Sequence, residues 1–167
     1  PFPKRMLGKI EGVLIDLAVH DFDLIHYLGS EIINVKSQII NSLGQEVYVK
    51  TLMNLNNNIK ASCEFSWVTP HRKRLIELYA SSGMVVGDFH KQELLFYENS
   101  DFSHEEKFDN TFMETGLINT GRIIHHPLAK QEPINLELNN FLDAITGLDE
   151  VLVKPEEALR VLEKVLM

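Results

Sequence analysis

The sequence predicts an α+β domain: a mostly antiparallel open sheet with helices packed on one face. Three observations carry this. A segment of helical apolar period opens the chain, runs of alternating apolar and polar residues separated by turn signals fill the middle, and two more helical segments close it. Strands that do not alternate strictly with helices argue against a doubly wound parallel sheet.

The first helix is predicted from Gly12 to Gly29. Leu14, Leu17, Leu24 and Leu28 lie on one apolar arc, while Asp16, His20, Asp23 and Tyr27 follow the i, i+4, i+7, i+11 stripe of a neighbouring face. Turn signals then fall at Gly29-Ser30, Leu43-Gly44, Asn56-Asn57-Asn58, Ser82-Gly83 and Glu98-Asn99-Ser100, a spacing that suggests a meander. In the first strand Ile33, Val35, Ser37 and Ile39 alternate with Asn34, Lys36 and Gln38; Val47, Val49, Thr51, Met53 and Leu55 repeat the period. Ile59, Ala61, Cys63, Phe65 and Trp67 against Lys60, Ser62, Glu64 and Ser66 describe a strand with one wet face. The three asparagines fit a hairpin connection, because Asn tolerates a left-handed backbone. Further strands are predicted near 73–80, 84–89 and 93–98. Residues 99–121 have no sustained period and read as an exposed excursion. Leu138, Phe141, Leu142 and Ile145 then mark a helix ended by Gly147, and Pro155 opens a last helix with Leu159, Leu162, Val165 and Leu166 as its stripe.

A chain of 167 residues suits one domain and can bury about 70% of its unfolded surface. The net charge of −8 disfavours nucleic acid and anionic membrane as partners, since both need basic surface. Cys63, the single cysteine, reads as a buried, inert thiol in its strand. No run approaches the roughly 18 apolar residues of a membrane span, and no signal peptide opens the chain, so the expected location is cytoplasmic.

Chemistry concentrates on the first helix. An imidazole titrates near pH 6.5 when unperturbed, so His20 suits proton exchange with a hydroxyl, and a carboxylate one turn earlier can orient it. Asp16 falls near the helix start, where the macrodipole favours its charge. The same spacing also describes an ordinary surface pair worth a few tenths of a kcal/mol. A metal site of Asp16, His20 and Asp23 is disfavoured, because a catalytic zinc usually needs a second nitrogen or sulfur ligand. Lys4 and Arg5 flank the helix and suit a phosphate or carboxylate of substrate. His125-His126 reads as loop-like, with adjacent side chains pointing oppositely. His71-Arg72-Lys73-Arg74 reads as a solvated turn, and Trp67 as a half-buried core aromatic.

The segment Gly12-Val-Leu-Ile-Asp16-Leu-Ala-Val-His20-Asp-Phe-Asp-Leu-Ile-His-Tyr-Leu28 resembles the start of the C-terminal domain in the Gfo/Idh/MocA family of NAD(P)-dependent oxidoreductases, with its Asp-x-x-x-His hallmark. The opening Pro-Phe-Pro-Lys-Arg is similar to the Gly-Pro-x-Pro-x-Arg approach of members that handle nucleotide sugars. Ser66-Trp67, Ala80-Ser-Ser-Gly83, Glu132-Pro-Ile-Asn-Leu-Glu137-Leu-x-x-Phe141-Leu-x-Ala-Ile145 and Pro155-Glu-Glu-Ala-Leu159 follow in family order. The resemblance implies that Asp16 and His20 face the substrate and assist proton removal from the hydroxyl being oxidised. It implies a sugar, polyol or nucleotide sugar as substrate, and NAD or NADP as cofactor.

The family's nucleotide-binding half, with Gly-x-Gly-x-x-Gly and Glu-Lys-Pro motifs, has no counterpart here, so the cofactor-binding residues are unknown. The chain is therefore expected to be one substrate-binding and oligomerisation domain, 1–167, truncated at both ends and inactive alone. The resemblance also implies a homo-oligomer through the open sheet face, where Tyr48, Leu52, Leu75 and Tyr79 would leave apolar surface. A binding or dimerisation module without chemistry is the alternative.

Overall fold

A computed structural model describes residues 11–99 and 121–166. The described residues fall into two compact units that part after Pro70 and after Glu137: residues up to Pro70 and from Leu138 onward form one, and those between His71 and Glu137 the other.

The first unit begins with a π-helical turn, Leu14–Ala18, that runs directly into helix α1, Val19–Tyr27. A π turn holds one more residue than an α turn and so rotates everything before it relative to everything after. The face that is buried therefore reads Val13, Ala18 and Phe22, spaced five and then four, rather than the arc through Leu14 and Leu28 that a uniform period predicts. Leu28 is exposed, and Leu14, Leu17 and Ile25 pack only at the margin of the core. Gly29 ends α1 with φ +82°, its N–H donating to the His26 carbonyl while Ser30 N–H reaches back to Ile25. This Schellman arrangement is the stop that Gly29-Ser30 signals.

Strands β1 (Ile32–Ser42), β2 (Gln45–Leu55) and β3 (Lys60–Ser66) form an antiparallel meander in that order. Leu43 and Gly44 both take positive φ between the paired Ser42 and Gln45, giving a two-residue hairpin. Asn57 and Asn58 supply the left-handed backbone of the next connection, as Asn permits. A register shift between Ile32 and Asn34 corrects the predicted phase of β1: Ile32 is buried, Ile33 points outward, and Val35 rejoins the inner face. Inward residues Val47, Val49, Thr51, Met53, Leu55 and Phe65 meet the helices, with Phe22 and Phe65 rings tilted 6.4 Å apart. The outer face is largely wet, with a side-chain ladder in which Lys60 donates to Asn54 and Asn54 donates to Asn34.

Helix α2, Pro133–Thr146, crosses from the second unit into the first, and α3, Pro155–Val165, closes the described chain. Helix α3 packs on α1 and on the π turn through Val161 and Val165, an i, i+4 pair, whereas Leu159 and Leu166 of the predicted stripe are exposed. Helix α2 ends at Gly147 as predicted, with φ +74°, but buries none of its side chains among the described residues.

The second unit is a four-stranded antiparallel meander of β4 (Leu75–Ala80), β5 (Gly83–Asp88), β6 (Glu93–Glu98) and β7 (Ile123–His126). Strand β7 replaces the predicted loop at His125-His126, which pair with Leu95 and Leu94 of β6. Both faces of this sheet carry apolar residues: Ile76, Leu78, Val85 and Phe96 on one, Tyr79, Met84, Leu95 and Tyr97 on the other. Most of the excursion predicted over 99–121 lies outside the described residues.

Candidate functional site

A cleft of about 350 Å³ opens where the chain enters its first helix, lined by Glu11, Ile15, Asp16, Val19 and His20. The π turn and the first residues of α1 supply every one of these except Glu11. Asp16 and His20 thus reach one cleft, separated by one turn, with His20 exposed to solvent and Asp16 partly buried. The lower half of the predicted stripe does not join them. Tyr27 is 81% exposed and Asp23 is half-buried, and neither lines the cleft. Lys4 and Arg5 lie outside the described residues.

The carboxylate is held from the sheet. Trp67, directly after β3, is 5% exposed and donates its indole Nε1–H to Asp16 Oδ2 at 2.8 Å. Sequence reasoning takes this tryptophan for a core aromatic, which it is, but misses the bond. The alternation that turns Trp67 inward was legible; its partner, 51 residues earlier, was not. Glu46 was also missed: its carboxylate packs in the space that a side chain on Gly12 would take, beside the π turn. The site combines an anchored acid, a solvent-facing imidazole and a second acid, Glu11, around one opening.

Cys63 takes no part. Burial, with the nearby Asp21 carboxylate, pushes its thiol up to about 11, a rise only moderated by the Thr51 hydroxyl opposite it in register. Among the described residues no three His, Cys, Asp or Glu side chains converge to hold a metal ion. His125 and His126, adjacent on an extended strand, project from opposite faces of β7. No helix of the described residues is long and apolar enough to cross a membrane.

Among the described residues no strand pairs with another in parallel. Both sheets are antiparallel throughout, no glycine-rich turn leads from a strand into a helix, and so the phosphate cradle of a parallel βαβ unit is not formed here.

Residues 4–86 match the family model of the GFO/IDH/MocA C-terminal domain. No curated protein sequence matches the chain. Among solved structures it is similar to UDP-N-acetylglucosamine 3-dehydrogenase from Acidithiobacillus ferrooxidans, at 25% identity and TM-score 0.79, over 99% of this chain and 50% of that one. It shares its fold with a levoglucosan dehydrogenase solved with NADH, at 17% identity and TM-score 0.69 over 93% of this chain and 47% of that one. It shares it also with the aldose-aldose oxidoreductase from Caulobacter crescentus, at 15% identity and TM-score 0.65 over 93% and 44%. The chain therefore spans about half the length of the structures it matches. Sequence match and architecture together place it among the C-terminal domains of Gfo/Idh/MocA-type oxidoreductases.

Proposed function

We propose that this chain is the substrate-binding and proton-accepting domain of an NAD(P)-dependent oxidoreductase that acts on a hydroxyl of a sugar, polyol or nucleotide sugar. The observation that carries the reading is the convergence of Asp16 and His20 on one cleft. His20, facing solvent and therefore substrate, accepts the hydroxyl proton; Asp16 orients the ring and balances the charge that develops on it. Lys4 and Arg5 bind an anionic group of the substrate. The similarity to an enzyme named for UDP-N-acetylglucosamine favours a nucleotide sugar.

NAD or NADP is held by a cofactor domain outside this chain, which is accordingly inactive alone: reacting centres must approach to about 3 to 3.5 Å, and no cradle for the cofactor is formed by the described residues. The enzyme is cytoplasmic and assembles as a homo-oligomer through an open sheet face, for which the β4–β7 sheet offers exposed Leu75 and Tyr79, while Leu52 lies on the separate β1–β3 sheet. The test is His20→Ala in the polypeptide that joins this domain to its cofactor domain. A fall in kcat of about 10²- to 10⁴-fold is expected for loss of a general base. An unchanged kcat removes His20 from the reaction, and tight NAD(P)H binding by the 167-residue chain contradicts the division of labour.

A further inference from the structure

We propose that Trp67 is the positioning residue of this site, its buried indole holding the Asp16 carboxylate in the orientation from which it supports His20. The inference rests on the reading of Asp16 and His20 as the proton-handling pair.

Trp67 is built as a fixed donor. Its backbone N–H closes onto the Val47 carbonyl at 3.0 Å, which extends the β2–β3 ladder by one residue. Immediately beyond it, Ser66 Oγ accepts from the N–H groups of Val68 and Thr69, both at 3.2 Å, and turns the chain away. The ring itself is 5% exposed within the core. Main chain and ring are thus both constrained, so the indole N–H points along one line, and that line ends on Asp16 Oδ2 at 2.8 Å. An indole is a donor only, and its bond to an ionised oxygen is stronger than one to a neutral acceptor.

The other end of the bond sits in the π-helical turn, Leu14–Ala18, a geometry found mostly as isolated turns and often at functional sites. The wide turn and the sheet-borne donor together aim one short side chain. A site held from a rigid strand is more sharply defined than one left to the rotamers of an Asp on a helix surface. A buried tryptophan also seeks an acceptor for purely structural reasons, so the test must separate the two roles.

The chain has one tryptophan, and so one indole ¹H–¹⁵N resonance. In the 167-residue chain this resonance is expected to move with pH as the Asp16 carboxylate titrates, and Asp16→Asn is expected to displace it and abolish the pH dependence. A resonance indifferent to Asp16→Asn overturns the bond. In the enzyme that carries this domain, Trp67→Phe keeps an aromatic ring and removes the donor; kcat is expected to fall about 10- to 100-fold, with a shifted pH profile and little change in KM. A folded Trp67→Phe enzyme with the parent's kcat and pH profile overturns the positioning role. If that result accompanies a collapse of kcat in His20→Ala, only this inference fails; if His20→Ala is itself silent, the underlying reading fails. Should Trp67→Phe not fold, Asp16→Asn decides: a displaced indole resonance in the 167-residue chain together with a lowered kcat in the enzyme is expected, and either one unchanged overturns the proposal.

Discussion

Phe22→Ala tests the register that the π turn imposes on the first helix. Phe22 is 1% exposed and its ring meets Phe65 at 6.4 Å, whereas Tyr27, five residues further along the same helix, is 81% exposed. Truncating a buried Phe costs about 3 to 5 kcal/mol in lost transfer energy and cavity formation, and the aromatic pair adds about 0.5 to 1.5 kcal/mol that is lost with it. At about 2 to 4 °C per kcal/mol for a chain of this size, the expected fall in Tm is at least about 6 °C. Tyr27→Ala is the internal control, with a change within about 0.5 kcal/mol. Urea titration followed by far-UV circular dichroism reads both variants, with midpoints compared at a common slope. A Phe22→Ala cost below about 1 kcal/mol, or a larger cost for Tyr27→Ala, would refute the assigned face.

Two further outcomes follow from local geometry and burial. Leu43 is 87% exposed and holds φ +53° beside Gly44, so Leu43→Asn should relieve left-handed strain and stabilise the hairpin by about 0.5 to 1 kcal/mol, read as a raised urea midpoint; a lowered midpoint would show that the turn does not have this form. The Cys63 thiol, raised from an ordinary 9.0 to about 11, keeps its proton in the native state over a pH range where the unfolded chain has released it. Stability should therefore fall with rising pH between about 9 and 11, more steeply in the parent than in Cys63→Ala, and the thiol should resist alkylation at neutral pH; identical slopes for the two proteins would contradict the shift.

Much of the architecture was legible because it is written in local periods. Strands β2 and β3 alternate over a clean inner face, the asparagine run permits its turn, and Gly29 and Gly147 stop their helices through main-chain bonds only a few residues long. The errors came where one residue is inserted into a regular element. The π turn moved burial from the Leu14 and Leu28 arc to Val13, Ala18 and Phe22, and the bulge in β1 exchanged Ile33 for Ile32. An inserted residue leaves composition and average period almost unchanged, so pattern counting passes over it. Strand β7 was missed for a related reason: Ile123–His126 is too short to declare a period and exists because it pairs with β6.

The amino-acid sequence alone determined the class of fold, the order of its elements apart from β7, and the presence of an acid and an imidazole one helical turn apart, since each of these depends on neighbours within a few positions. Tertiary structure decided which part of that stripe is a site. Asp16 and His20 share a cleft while Asp23 and Tyr27 do not, and Asp16 is anchored by Trp67 from the end of a strand 51 residues away. A hydrogen bond of that span forms only when strand, turn and helix have been packed together, and no local property of either residue specifies its partner.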